Sequence, residues 1–221
     1  MNRWIKLLIL PAILISGCKK KYSYNKEKYE EIAPYYVERC EKFIRDVKRD
    51  KNCDIVFLGD SITEGYPLHL YFNEFHSVNR GINGDTTYGV IDRLEFSVYD
   101  LNPKIVYLMI GTNNFWDCTS NYEDILKGIK EHSPKTKVLV MSILPRDGDE
   151  AMQQIRENNV KIQKFAENHG YFYVNAFTPM TIDSNNLLVN HNLFVDGVHP
   201  NMDGYSILTN TFKQTIMQWL S

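Results

Sequence analysis

Five short apolar segments, separated by stretches of helical spacing, constrain this chain more tightly than any other feature. They fall at residues 53–58, 77–79, 105–110, 138–143 and 171–174. The run Ile105-Val106-Tyr107-Leu108-Met109-Ile110 is apolar at successive positions rather than alternate ones. Successive strand side chains point to opposite faces, so this pattern predicts strands covered on both sides. Between the segments, Tyr36, Cys40, Phe43, Ile44 and Val47 share one helical stripe. Tyr122, Ile125, Leu126 and Ile129 form a second, and Ile155, Ile162, Phe165, Ala166 and His169 a third. A last helix is expected to carry Tyr205, Leu208, Phe212, Ile216 and Trp219 on one face. Such strand–helix alternation predicts an α/β fold, a parallel sheet of about five strands between layers of helices. Ligands of such sheets bind beyond the carboxyl ends of the strands.

At 221 residues the chain is long enough for one sizeable core and too short for two comfortable domains. A formal net charge of -2 argues against nucleic acid as a main partner, because phosphate binding needs a basic surface. The N-terminus reads differently from the rest. Arg3 and Lys6 precede an apolar run at residues 7–15, which is too short to span a bilayer, followed by Ser16 and Gly17. Ile15-Ser16-Gly17-Cys18 resembles the lipobox of bacterial lipoproteins, with Ile where Leu is usual. The resemblance implies cleavage before Cys18 and lipidation of that cysteine, hence a cell-envelope location outside the cytoplasm with the membrane as partner. The expected boundaries are 1–17 for the signal peptide, 18–34 for a lipid-anchored tether and 35–221 for the folded domain. An ordinary cleaved signal with an incidental Cys18 is the alternative. Cys40, Cys53 and Cys118 then remain, an odd number with no C-x-x-C spacing, and read as buried thiols, with one disulfide left open.

Four short segments carry chemistry. Ser61, in Gly59-Asp60-Ser61-Ile62-Thr63, follows the first strong strand and precedes a helix. There its hydroxyl can act as a nucleophile beside its own free N–H, although a helix N-cap is the commoner job for such a serine. Gly84, in Gly81-Ile82-Asn83-Gly84-Asp85, can bring a backbone N–H close to a substrate oxygen, or simply make a turn. Asn113, in Gly111-Thr112-Asn113-Asn114, can donate an uncharged amide N–H to an oxyanion, or close an Asx-turn. Asp196 and His199 lie three residues apart in Asp196-Gly197-Val198-His199-Pro200, where a carboxylate can orient an imidazole base. His191, His69, His76 and His132 fit ordinary structural roles better.

Together these residues resemble the SGNH, or GDSL, hydrolase superfamily over the stretch from Asp54 to the C-terminus. Gly111-Thr112-Asn113-Asn114 and Ile143-Leu144-Pro145-Arg146 are similar to the platelet-activating-factor acetylhydrolase catalytic-subunit branch. The resemblance implies a three-layer α/β/α flavodoxin-like sandwich, no cofactor, and hydrolysis of small-acyl esters. It implies a Ser61–His199–Asp196 triad and an oxyanion hole of Ser61, Gly84 and Asn113. Trp116, three residues beyond Asn113, is a candidate substrate-binding wall for a glycan ester, or an aromatic packed under its loop. Three other readings use the same residues. One is a lysophospholipase or acyl-thioesterase of the same family. Another is a surface lipoprotein that binds glycan without cleaving it. The third is a metallo-hydrolase with Asp60, Asp85, Asn113, Asp196 and His199 as ligands, which leaves Ser61 without a job.

Overall fold

A computed structural model describes residues 33–182 and 188–221, together with Tyr22, Tyr24, Lys26 and Tyr29. The expected signal peptide and Cys18 lie outside the described residues. Five parallel strands form one sheet in the order β2-β1-β3-β4-β5. Their ranges are β1 Ile55–Gly59, β2 Ser77–Gly81, β3 Ile105–Met109, β4 Lys137–Met141 and β5 Phe172–Val174. All residues of β1 and β3 are buried, which is why their sequences are apolar at every position. The sheet-edge strands β2 and β5 are only partly buried.

Helices cover both faces. On one, Val56, Leu58, Val106, Leu108 and Val140 pack with Tyr122, Ile125 and Ile129 of helix Tyr122–His132 and Ile155 and Ile162 of helix Asp149–His169. On the other, Phe57, Tyr107, Leu139 and Met141 meet Tyr205, Leu208, Phe212 and Ile216. The α/β sandwich expected from the sequence is therefore the fold.

The expected last helix is broken in two, Met202–Asn210 and Lys213–Leu220. Thr209 and Thr211 donate their hydroxyls to the Tyr205 and Leu208 carbonyls, both at 2.6 Å, a back-bonding that bends helices. The break turns Phe212, 1% exposed, into the core, where its ring stacks on Phe72 at 5.8 Å. Burying a phenylalanine contributes about 1.5–3 kcal/mol, more than the ~1 kcal/mol net of a helical hydrogen bond.

Helix α1, Pro34–Asp50, starts on a proline, whose missing N–H costs nothing in the first turn, and buries Tyr36, Cys40 and Phe43 against Ile82 and Phe96. Within the stretch expected to be the tether, the described tyrosines pack on the same cluster. Tyr22 and Tyr24 meet the Phe96 ring edge-on at 5.6 and 5.8 Å, and Tyr29 lies 4.3 Å from Tyr36. Cys40, Cys53 and Cys118 are buried free thiols, each pushed up to about 12 by burial.

Strand order reverses about β1: one connection leads to β2 on one side, the next to β3 on the other. Gly59 is level with Gly81 on one neighbour and Met109 on the other. The loops leaving these three strand ends therefore meet at a topological switch point, where such folds open a crevice.

Candidate active site

β1 ends at Gly59, where a Cβ would fall within 3 Å of the Met109 carbonyl and of Thr63. Only glycine lets the strand turn this closely into the one-turn helix α2, Ser61–Glu64. The N-cap is Asp60, whose Oδ1 accepts the Ile62 N–H at 3.0 Å. The capping job that competed for Ser61 is thus done by its neighbour. Ser61 is the first helical residue, its N–H has no intrahelical acceptor, and its hydroxyl is free for other work.

That hydroxyl lies 2.9 Å from Nε2 of His199, 138 residues away. His199 Nδ1 lies 2.8 Å from Asp196 Oδ2. The other carboxylate oxygen accepts the backbone N–H groups of Val198 at 3.0 Å and His199 at 2.8 Å. These donors, the His199 backbone first and its ring second, hold the Asp196 carboxyl down at about 2, so it is ionised at neutral pH. An ionised acceptor at Nδ1 places the ring proton there and leaves Nε2 to accept from Ser61. The tight loop needs Gly197 at φ +76, where a Cβ would also strike the Asp147 carboxylate.

Gly84 sits at φ +75 on an exposed turn, and a Cβ there would meet nothing within 4 Å. The Asp85 N–H closes the turn on the Ile82 carbonyl at 3.0 Å. The next residue roots the turn: Asp85 pairs with Arg93 at 2.8 Å, both side chains almost fully buried. Arg93 also donates to Ser97 Oγ at 3.2 Å and to the Gly59 carbonyl at 3.0 Å, so one guanidinium ties the Gly84 loop to the strand that carries Ser61.

Asn113 donates one amide hydrogen to the Asp85 carbonyl at 2.9 Å. A side-chain amide has two N–H groups, so this bond fixes the direction of the other. Asn114 reinforces the link, donating to Thr87 Oγ1 at 2.9 Å. Tyr88 adds a further tie, its hydroxyl bonding Asp117 and lying 2.9 Å from Ser120 Oγ. Arg146 braces the same loop from the segment after β4, donating to the Thr112 carbonyl at 2.9 Å and lying over the Phe115 ring. The packed aromatic here is Phe115; Trp116 tilts against it and is 62% exposed.

The structure thus brings Ser61, Asp196 and His199 into one hydrogen-bonded chain and anchors Gly84 and Asn113 to each other through Asp85. Sequence reasoning missed Arg93, Asn114, Tyr88 and Arg146 as supports of that arrangement. Neither of two grooves of about 1040 and 1020 Å³ includes any of the five; the first is lined by Met152, Arg156, Tyr173 and Phe177, the second by Tyr22, Ile44 and Tyr99. Among the described residues, no group of three His, Cys, Asp or Glu side chains is arranged to hold a metal ion. Asp60 and Asp85 are committed to a helix cap and an ion pair.

Residues 57–207 match the model of the GDSL-like lipase/acylhydrolase family. The chain belongs to that family. Human platelet-activating factor acetylhydrolase IB subunit alpha2 is 29% identical over 192 residues, 81% of this chain and 82% of the relative. The bovine alpha1 subunit is 26% identical over 193 residues, with the same shares. A GDSL-like lipase structure from Bacteroides thetaiotaomicron superposes with a TM-score of 0.67 at 28% identity, covering 88% of this chain and 98% of that one. This GDSL-like protein is accordingly a hydrolase of the SGNH/GDSL superfamily.

Burial holds the Asp60 carboxyl up at about 7, although the Ile62 N–H pulls it down. A carboxyl whose folded pKa lies above its unfolded value, roughly 3.9, contributes stability below that value and loses it as pH rises through about 7. Asp60→Asn keeps an oxygen for the cap and removes the titration. The stability of the variant relative to wild type, from denaturation midpoints, is expected to be more favourable at pH 8 than at pH 5. An equal offset at both would show that Asp60 does not titrate in this window.

Proposed function

We propose that this hydrolase is a serine esterase acting on small-acyl, chiefly acetyl, esters. The observation that carries the reading is the continuous Ser61–His199–Asp196 hydrogen-bonded chain beside Gly84 and Asn113. In the first step His199 Nε2 takes the Ser61 proton as Oγ attacks the ester carbonyl, while Asp196 holds the imidazole and stabilises its protonated form. The N–H groups of Ser61 and Gly84 and the second Asn113 amide hydrogen receive the developing oxyanion; one such donor is typically worth ~10²–10³ in turnover. His199 returns its proton to the leaving alcohol. Water, activated by the same imidazole, then releases the acid and regenerates Ser61.

The small acyl group is supported by the acetylhydrolase relatives. On the alcohol side, the exposed Trp116 ring supports a sugar ring stacked at the mouth, hence an O-acetylated glycan. A lipoprotein held at the cell envelope through Cys18 would meet such glycans first; the sequence around Cys18 supports that location.

Initial rates on nitrophenyl acetate, butyrate and octanoate, with and without chelator, test the reading. Chelator-insensitive rates that fall with chain length are expected. Rates rising toward octanoate would favour a lipase-like acyl preference, and loss of activity with chelator would favour metal.

A further inference from the structure

Glu64 closes helix α2, three residues after Ser61, and its carboxylate faces both the Gly84 turn and helix α1. Oε2 accepts the Asn83 backbone N–H at 2.6 Å. Oε1 accepts the Tyr35 hydroxyl and lies 3.4 Å from Arg39 Nε, close in charge though not aligned as a hydrogen bond. Arg39 in turn donates from Nη2 to the Gly81 carbonyl at 2.9 Å. Asn79 completes the junction, donating to the Thr63 carbonyl at 2.7 Å while its side-chain oxygen accepts the Gly81 N–H at 2.8 Å. At Gly81 a Cβ would fall within 3 Å of the Glu64 backbone, so turn and helix are in direct contact.

The two ends of the turn are therefore held by different means. Downstream, Asp85 is rooted by Arg93. Upstream, the Asn83 N–H bonds to a single carboxylate oxygen. Between them a Cβ at Gly84 would meet nothing within 4 Å, and the Asp85 N–H bonds the Ile82 carbonyl across the turn at 3.0 Å. We infer that Glu64, held by Arg39 and Tyr35, is a positioning residue that sets the height and direction of the Gly84 N–H. The inference rests on the proposed oxyanion role of Gly84. Removing the carboxylate leaves the Asn83 N–H without its acceptor, although Ile82 stays bonded to Gly59 and Asp85; a shift of about 1 Å at the neighbouring donor can cost up to ~10² in rate. The donor acts on the oxyanion rather than on the resting ester, so the loss falls on kcat rather than KM.

The test compares wild type, Glu64→Ala, Glu64→Gln and Ser61→Ala on nitrophenyl acetate, with phenylboronic acid as a probe of tetrahedral binding at Ser61. Glu64→Ala is expected to lower kcat by about 10- to 100-fold with KM within about threefold. Phenylboronic acid should weaken by the same factor as kcat/KM. The Gln amide can still accept from Asn83, so Glu64→Gln should retain kcat within about threefold. A mere loss of folded protein would lower kcat and leave the boronate affinity unchanged, and that pattern overturns the inference. If Glu64→Ala fails to fold, Glu64→Gln decides: a tenfold loss of kcat with unchanged boronate affinity overturns it, and near-wild-type values of both support it. Inactive Ser61→Ala beside fully active Glu64→Ala overturns the Glu64 role alone. Wild-type rates in Ser61→Ala overturn the serine reading and the Glu64 role with it.

Discussion

Ser61→Ala is expected to lower kcat/KM on nitrophenyl acetate by at least about 10⁴-fold, with a melting temperature close to wild type. Alanine removes the only atom of residue 61 that the mechanism makes a nucleophile, and His199 has no second hydroxyl partner in the hydrogen-bonded chain. The fold does not depend on that oxygen. Asp60 caps the helix, Ile62 and Thr63 supply its buried face, and Gly59 sets its approach to β3. The His199 partner is itself 41% exposed and can turn to water, so no buried group is orphaned. Retained stability with lost activity separates a reacting group from a structural one. Activity within tenfold of wild type would remove Ser61 from the chemistry.

Arg93→Met carries the largest expected effect on stability, a loss of about 3–5 kcal/mol. Arg93 and Asp85 are both buried, and the methionine leaves the Asp85 carboxylate without its cation in a dry setting. It also withdraws donors from the Gly59 carbonyl and Ser97 Oγ. Because Asp85 roots the Gly84 turn and its carbonyl accepts from Asn113, the folded fraction should lose kcat as well. Equilibrium unfolding in urea, read together with kcat at a temperature where the variant is folded, checks both parts. A loss under 1 kcal/mol would mean that the pair contributes little beyond what packing replaces.

The fold was legible where burial is two-sided. Residues such as Ile55, Phe57 and Tyr107 face one helical layer while Val56, Leu58 and Val106 face the other, so uninterrupted apolarity marked the strands. β2 was legible only in part: it extends to Arg80 and Gly81, where a buried ion pair with Asp50 and close contact with Glu64 replace apolar packing. The break before Phe212 escaped notice because the apolar stripe continues through it in phase, and only the side-chain bonds of Thr209 and Thr211 mark the interruption. At the site, Ser61, Gly84, Asn113, Asp196 and His199 are legible because each lies in one of four short, ordered motifs that together resemble the SGNH pattern. Asp60 as the helix cap settles which of two ordinary jobs Ser61 does not hold. Arg93, Glu64 and Asn114 were not legible, because each acts across loops far apart in sequence and none differs locally from a surface polar residue. The same holds for Tyr22, Tyr24 and Tyr29, whose docking depends on Phe96 and Tyr36.

The central claim is that Ser61 is the nucleophile, and covalent labelling tests it most directly. The purified protein would be treated with a fluorophosphonate, digested, and its adduct located by mass spectrometry. One stoichiometric adduct on Ser61, formed in step with loss of esterase activity and suppressed in His199→Ala, is the predicted result. An adduct on another residue, or full activity in protein completely labelled at Ser61, would contradict it.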